Sequence, residues 1–169
     1  MNTAPLILTL ELDEQSFEFF NELRQAHFPK ERNFLAAHLT LFHNLPPGEP
    51  QIKTDLALLV KEKKELQLPV TSVASIGGGV AYKIESTELK QLHKNLQHAW
   101  AAWLIPQDKQ MLWPHVTVQN KVTALQAKEL LSELAETFIP FEARGKGLCL
   151  WEYLGGPWKK VETFLFEKS

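Results

Sequence analysis

The chain has 169 residues, of which 44% are hydrophobic and 22% are charged, and its formal net charge at pH 7 is −2. These values predict one globular domain over 1–169, or two small lobes that share a core. The weakly negative charge argues against a protein that grips long nucleic-acid duplexes, because that mode of binding needs a basic face. Small phosphoesters and RNA ends are compatible with it.

The sequence shows no pattern typical of a secretory signal or of a membrane-spanning segment. No basic segment precedes the apolar residues 6–8, and Glu11 follows them closely, which is unlike a secretory signal. No apolar run is long enough to span a membrane. Cys149 is the single cysteine, so no internal disulfide can form, and we expect it in the core of a protein from the reducing cytoplasm. The sequence does not predict an oligomeric state.

Five elements are predicted in the first half of the chain from hydrophobic periodicity and from capping and turn residues. Asp13 can cap the first helix, and Pro29 lies beyond its end. In order, the elements are a strand over 6–12, a helix over about 14–27, a strand that carries His38, a helix after the turn at 46–50, and a strand near 66–75.

The same order of elements recurs in the second half. It comprises a strand over 80–85, a helix opened by Thr87, a strand that carries His115, a helix capped by Thr123, and a strand near 143–152. The first helices begin at 14 and 87, which are 73 residues apart, and His38 and His115 are 77 residues apart. These similar offsets predict an internal duplication, approximately 5–76 and 79–152, with a C-terminal hairpin over 151–167.

Two short segments with the same pattern, His38–Leu41 and His115–Val118, each alternate a histidine and a threonine with two aliphatic residues. Because side chains on a strand alternate between faces, the histidine and threonine should share one face while the aliphatic side chains enter the core. Two imidazoles and two hydroxyls across one cleft would form a symmetric acid–base and hydrogen-bonding site suited to a phosphate.

Duplicated His-x-Thr-x motifs in a small α+β chain resemble the 2H phosphoesterase superfamily, in particular its 2′-5′ RNA ligase-like and cyclic phosphodiesterase branches. The Leu-Gly-Gly-Pro-Trp segment at 154–158, followed by a Phe-rich strand, is similar to the endings of bacterial 2′-5′ RNA ligase family proteins. The resemblance implies an α+β fold of two pseudo-symmetric lobes. Each lobe would be an antiparallel sheet backed by helices, and the motif strands would face each other across a central cleft.

The chemistry expected of such a site is hydrolysis of a 2′,3′-cyclic or 2′-5′ phosphodiester of RNA or a nucleotide. One imidazole, His38 or His115, would deprotonate water while the other protonates the departing ribose oxygen. Thr40 and Thr117 would donate hydrogen bonds to the phosphate. The same steps in reverse would join a 2′-hydroxyl to a cyclic phosphate. The sequence leaves open which imidazole is the acid.

No cofactor is predicted. The glycine run at 77–79 lacks the Gly-Lys-Ser/Thr ending of a phosphate-binding loop and is typical of a hairpin turn. Neither motif contains a carboxylate, and no His-x-His or His-x-x-x-His spacing occurs, so a metal centre is the weaker alternative. A second alternative is a module that binds a phosphate or RNA end in the same cleft without turnover.

Contacts to the substrate are less specific in the sequence. Alternation places Phe42 on the face of His38 and Thr40, and an aromatic ring there could stack on a base or simply fill the core. Basic side chains near the motifs could attract phosphate or be solvated. The candidate substrate-binding residues are Phe42, Trp113, Lys121, Arg144 and Lys146.

The remaining histidines are not expected to take part. Alternation places His43 on the face opposite His38, which argues against a catalytic role. His93 and His98 fall on the side of the third helix that the pattern predicts to be exposed, and His27 borders the apolar side of the first helix.

Overall fold

Strands and helices follow one another in the order that the sequence predicts. The computed structural model describes residues 3–168. Its elements are β1 Leu6–Leu12, α1 Glu14–His27, β2 Leu39–Leu45, α2 Pro50–Lys61, β3 Leu66–Ser75, β4 Val80–Ile84, α3 Thr87–Ala99, β5 His115–Gln119, α4 Ala124–Thr137, β6 Phe141–Tyr153 and β7 Trp158–Leu165. Two short 3-10 turns, Lys30–Arg32 and Pro106–Lys109, lie in the segments that lead to β2 and β5.

The ends of the helices agree closely with the capping residues read from the sequence. The side chains of Asp13 and Thr123 accept backbone hydrogen bonds from the first turns of α1 and α4. Helix α3 begins at Thr87, as predicted, and its N-cap is Ser86, whose side chain accepts from the backbone N–H of Leu89. No helix among residues 3–168 has the length and apolar character needed to cross a bilayer.

All seven strands join one antiparallel sheet in the order β2-β1-β6-β3-β4-β5, with β7 added to β6. Strand β6 lies near the centre of the sheet and joins its two halves. One of its edges pairs with β1, while its other edge pairs first with β3, over residues 141–145, and then with β7, over residues 147–153. The predicted α+β fold is therefore confirmed, and the sheets of the two predicted lobes are halves of one sheet.

The strand order is symmetric about the boundary between β6 and β3. Exchanging β1, β2 and β3 for β4, β5 and β6 reproduces the same order read from the other end. Each half-sheet therefore takes its third strand from the opposite half of the chain. This arrangement is what a duplication with exchanged third strands would produce, although the duplication itself, like the boundaries 5–76 and 79–152, stays a prediction.

The helices pack across the two halves. Phe20 of α1 contacts Tyr82 of β4, with ring centroids 5.6 Å apart, and both side chains are buried. In the corresponding contact, Trp100 at the end of α3 meets Phe42 of β2 with ring centroids 5.3 Å apart. Residues of these helices thus pack against β2 and β4 from the core side of the sheet, and Thr40 is half-buried.

Candidate active site

The two motif histidines stand at equivalent positions in the fold. His38 directly precedes β2, and His115 is the first residue of β5. The Nδ1 atom of His38 lies 2.8 Å from the carbonyl oxygen of Ala36, and the Nδ1 atom of His115 lies 2.7 Å from that of Trp113. A carbonyl oxygen can only accept, so Nδ1 carries the hydrogen in both rings. In the neutral form of each imidazole, Nε2 is therefore the basic nitrogen.

The motif threonines continue the same face of each strand. Thr40 pairs with Thr9 of β1, and Thr117 pairs with Ala81 of β4. Both threonines are half-buried, while the leucines and valines between the motif residues are buried in the core. The alternation predicted for the motifs is thus present in the structure over these residues.

A buried arginine links the two motif segments. Arg24 of α1, only 4% exposed, donates from Nη1 to the carbonyl oxygen of Thr117 and from Nε to the side chain of Asn33 and the carbonyl oxygen of Leu35, each at 3.0 Å. Burial lowers its pKa to about 10, so it stays protonated at neutral pH. Arg24 thereby ties the segment before His38 to the second motif strand.

The electrostatic surroundings favour neutral imidazoles. Burial lowers the pKa of His38 to about 4, with further lowering by the charges of Arg24, His115 and His43, against a raising effect of the hydrogen bond to Ala36. Burial also lowers the pKa of His115, again with a contribution from His43. The protonated form of each motif ring is therefore disfavoured by its surroundings. An anion beside the rings would offset this cost.

Each motif imidazole lies against a tryptophan. The ring of Trp113 stacks on His115, with centroids 4.5 Å apart and an angle of 29° between the planes. The ring of Trp158 in β7 contacts His38 at 4.7 Å. Trp113, which the sequence predicts to bind substrate, thus lies beside a motif histidine, whereas Trp158 was not predicted to lie near the site.

The prediction that Phe42 lines the cleft is wrong. Strand β2 has a β-bulge at this point, because two of its residues, Leu41 and Phe42, lie opposite the single residue Leu8 of β1. Both Leu41 and Phe42 are buried. The bulge breaks the alternation that placed Phe42 on the face of His38. Its ring is fully buried and stacks on His93, with centroids 4.6 Å apart.

Because of the same bulge, the prediction that His43 lies on the face opposite His38 is also wrong. His43 and Asn44 lie opposite Ile7, which shares its face of β1 with Thr9, so His43 faces the cleft rather than away from it. Its Nδ1 donates to Oδ1 of Asp108 at 3.0 Å, while half of the side chain is exposed. His43 lies near enough to both motif histidines to contribute to the lowering of their pKa values, of which burial is the largest cause.

His93 also differs from the sequence expectation. It is buried at 3% exposure, and its Nε2 donates to the carbonyl oxygen of Leu41 at 2.9 Å. The imidazole therefore fixes α3 on the bulged motif strand. The hydrophobic pattern of α3 could not show this contact, because it depends on the packing of α3 against a distant strand.

The three basic candidates lie in different places. Lys146 lines the same cavity as His38. Arg144 is exposed and lies 3.9 Å from Glu65 in an ion pair. Lys121 is exposed in the turn after β5, with a φ of 62°. The cavity groups only Lys146 with a motif residue.

A cavity of about 540 Å³ opens beside His38. Residues 9–12 of β1, the first turn of α1, the segment before β2 and the β6–β7 hairpin form its walls. Besides His38, its aromatic and basic lining residues are Phe17, Phe34, Trp151, Trp158, Lys146 and Lys160. Of these six, only Lys146 was predicted from the sequence to bind substrate, because the walls come from segments more than a hundred residues apart. Within residues 3–168, no three His, Cys, Asp or Glu side chains lie close enough together to hold a metal ion.

Comparisons with known proteins agree with this fold. A crystal structure of Escherichia coli LigT with 3′-AMP matches with a TM-score of 0.62 and 18% identity, over 98% of this chain and 99% of that one. A crystal structure of a Thermus thermophilus protein matches with a TM-score of 0.67 and 15% identity over 98% and 99% of the two chains. No curated protein compared with the chain matches it. The family model of the 2′-5′ RNA ligase superfamily matches residues 12–157, which is most of the sequence. The chain therefore belongs to the 2′-5′ RNA ligase superfamily of 2H phosphoesterases.

Proposed function

We propose that this protein is a metal-independent phosphoesterase that hydrolyses, or in reverse forms, 2′,3′-cyclic or 2′-5′ phosphodiesters of RNA or nucleotides. The observation that carries the proposal is the matched state of the two imidazoles. Both Nδ1 atoms donate to a carbonyl oxygen two residues earlier, so the Nε2 atom of each ring is left for proton transfer. The phosphoesterase assignment is supported by the family, and by LigT, which has been crystallised with 3′-AMP and with phosphate.

Hydrolysis in this cleft needs one proton removed and one delivered. The Nε2 atom of one imidazole accepts a proton from water as the water oxygen bonds to phosphorus. The Nε2–H of the other, protonated imidazole gives its proton to the ribose oxygen as the bond between that oxygen and phosphorus breaks. The negative charge of the bound phosphodiester opposes the effects that lower the pKa of His38, and so allows one ring to be protonated near neutral pH.

The threonine hydroxyls complete the proposed site. Thr40 and Thr117 share the faces of His38 and His115, and hydroxyl groups there can donate to the non-bridging oxygens as charge develops on them. In the ligation direction a 5′-hydroxyl takes the place of water: it gives its proton to the basic ring as its oxygen bonds to the phosphorus of a 2′,3′-cyclic phosphate, and the protonated ring gives a proton to the 3′-oxygen as the bond between that oxygen and phosphorus breaks, which leaves a 2′-5′ phosphodiester. The substrates we propose are RNA ends or small cyclic nucleotides, in the cytoplasm, where the single buried Cys149 would stay reduced.

The test is turnover of a panel of 2′,3′-cyclic nucleotides and 2′-5′-linked dinucleotides in excess EDTA. We expect hydrolysis that survives the chelator, and a loss of at least about 10²-fold in kcat for His38→Ala and for His115→Ala. Activity that disappears in EDTA and returns with a divalent cation would contradict the mechanism. Wild-type protein that binds these nucleotides but turns over none of them would instead identify a binding module.

A further inference from the structure

We propose that Arg24 is a positioning residue of the cleft, whose guanidinium group holds the segment before β2 on the second motif strand and thereby sets the orientation of the His38 ring. Arg24 is only 4% exposed, and it acts on the ring through the backbone rather than by touching the reacting atoms. Its effect on catalysis rests on the proposed function, whereas its effect on the His38 ring does not.

The segment that leads to His38 is held by side chains of α1. Within residues 3–168, the backbone groups of residues 34–36 form no hydrogen bond to another backbone group. Instead, Arg24 donates from Nε to the carbonyl oxygen of Leu35, and Oδ1 of Asn21 accepts from the backbone N–H of Ala37, both at 3.0 Å. The carbonyl group between these two contacts, that of Ala36, accepts from Nδ1 of His38 at 2.8 Å. Helix α1 therefore determines the direction of the imidazole.

The guanidinium group has the shape that such a link between two segments needs. Its Nε contacts Oδ1 of Asn33 and the carbonyl oxygen of Leu35, and its Nη1 donates to the carbonyl oxygen of Thr117, each at 3.0 Å. One planar, rigid group thus contacts both motif segments. Burial is the largest cause of the lowered pKa of His38, and the charge of Arg24 contributes to it, which shows that the guanidinium lies near the ring.

The second half of the chain has a corresponding residue, which is neutral. Helices α1 and α3 begin at 14 and 87, so Arg24 and Gln97, which are also 73 residues apart, occupy the same place in their helices. Gln97 donates from Nε2 to the carbonyl oxygens of Asp108 and Gln110, at 2.9 and 2.8 Å, in the segment before β5. Each helix thus holds the segment before the motif strand of its own half. Of the two side chains, only Arg24 also donates to the motif strand of the other half.

The buried charge of Arg24 is costly for the fold. Within residues 3–168, no carboxylate oxygen lies within 4.0 Å of its guanidinium nitrogens, and its hydrogen-bond acceptors are three neutral oxygen atoms. Since a neutral glutamine holds the equivalent segment, holding the segment alone does not require a cation. The longer, forked side chain is needed where one group has to reach both motif segments, which supports a role in the geometry of the site.

The substitution that tests this role is Arg24→Lys, which keeps a cation but replaces the planar fork by a single nitrogen. We expect kcat for a 2′,3′-cyclic nucleotide to fall about 10- to 100-fold with little change in KM, because the His38 ring is misplaced while no contact to the substrate is lost. Arg32→Lys is the matched control, because Arg32 is exposed in the turn before the same segment and should keep full activity. Wild-type kcat in folded Arg24→Lys overturns the proposal.

The tautomer of His38 is a second readout and needs no turnover. In wild type, the hydrogen bond to Ala36 places the proton of the neutral ring on Nδ1, and long-range proton–nitrogen NMR spectra distinguish this form from the Nε2–H form. Arg24→Lys should increase the Nε2–H fraction of His38 but not of His115, because the carbonyl oxygen of Pro114 is held by the backbone N–H of Ile84.

This readout separates the role of Arg24 from the proposed reaction. If wild-type protein turns over none of the substrates, the proposed function fails, and the tautomer alone decides: a shift in Arg24→Lys that is absent in Arg32→Lys supports the proposal. An unchanged tautomer of His38 overturns it, whether or not kcat falls. So does a fall in kcat no larger than the loss of folded protein.

Substitutions of Asn33 give the same test with a smaller change to the core. Asn33→Ala removes one acceptor of the fork, whereas Asn33→Asp keeps an oxygen atom in the same position. Both effects expected for Arg24→Lys should appear in Asn33→Ala at a smaller size, with kcat measured at the pH optimum of each variant. Asn33→Asp should show less of both effects than Asn33→Ala. Equal behaviour of these two variants overturns the proposal even if Arg24→Lys does not fold.

Discussion

At the scale of single residues, one backbone feature sets the state of both imidazoles. In each motif the carbonyl oxygen two residues earlier accepts the Nδ1–H, so two distant segments present the same nitrogen for proton transfer. The lowered pKa of His38 follows first from burial and then from nearby cations, Arg24 among them. The surroundings of His38 in the folded protein thus favour its neutral form.

Folding stability should therefore depend on the protonation of His38. Its pKa is about 4 in the folded protein and near its ordinary value of 6.5 in the unfolded chain. The unfolded state binds more protons between these values, so stability should fall as pH decreases from about 6.5 to 4 and level off below 4 as far as this group is concerned. Denaturant titrations over this range should show a smaller decrease for His38→Gln than for wild type. Equal pH dependence of the two proteins would contradict the assignment.

The threonine hydroxyls can be tested without changing the shape of the side chains. Thr40→Val and Thr117→Val should each cost on the order of 1–3 kcal/mol of transition-state stabilisation, since each removes one donor to the phosphate. The measurement is kcat/KM on a 2′,3′-cyclic nucleotide. Thr54→Val, on the exposed side of α2, is the control and should retain full activity. If neither motif substitution lowers kcat/KM, the hydroxyls do not contact the phosphate.

At the scale of elements, one close approach fixes the end of the second motif strand. A Cβ atom on Gly79, the residue before β4, would lie 1.9 Å from the carbonyl oxygen of Gln119 in β5, whereas a Cβ atom on Gly78 would meet nothing nearer than 3.5 Å. Gly79→Ala should therefore displace β5 and destabilise the protein by about 1–3 kcal/mol. Gly78→Ala should be nearly neutral. Urea denaturation of the two variants checks this, and similar midpoints would show that β5 adapts.

The sequence predicts the elements well because their signals are local. Caps at Asp13 and Thr123 and the proline after α1 mark where helices begin and end, and alternation within each motif correctly assigns the core and cleft faces. The errors at Phe42 and His43 have one cause. The bulge in β2 exists only in its pairing with β1, and no pattern within 39–45 indicates it.

The cavity beside His38 could not be predicted for a related reason. Phe34 lies just before β2, while Trp151 and Trp158 lie on the C-terminal hairpin, and only the sheet order brings these segments together. Periodicity shows that a side chain leaves the core but not which distant segment it meets. The proposed motif residues stand out because their pattern occurs twice in the sequence, whereas the residues that line the cavity belong to no repeated pattern.

At the scale of the whole molecule, exchange of the third strands makes the two halves depend on each other. Strand β3 of the first half pairs with β4 of the second, and β6 of the second half pairs with β1 of the first. Arg24 adds a contact from α1 to the second motif strand. Neither half therefore contains a complete half-sheet, and the relative position of the two motifs is set by the sheet as a whole.

Splitting the chain in the turn between β3 and β4 tests this dependence. Fragment 1–77 lacks β6 of one half-sheet and both β4 and β5 of the other, and fragment 78–169 lacks β3 of one half-sheet and both β1 and β2 of the other. Each fragment alone should therefore bury too little apolar surface to fold. Mixed or co-expressed, they should associate through the β1–β6 and β3–β4 pairings and recover the fold, with phosphoesterase activity if the proposed function is correct. Amide chemical-shift dispersion of each fragment and of the mixture is the measurement, since it reports folding whether or not a substrate is turned over. A well-dispersed spectrum from fragment 1–77 alone would show that the first half folds independently, and the strand exchange would then not be what couples the two motifs.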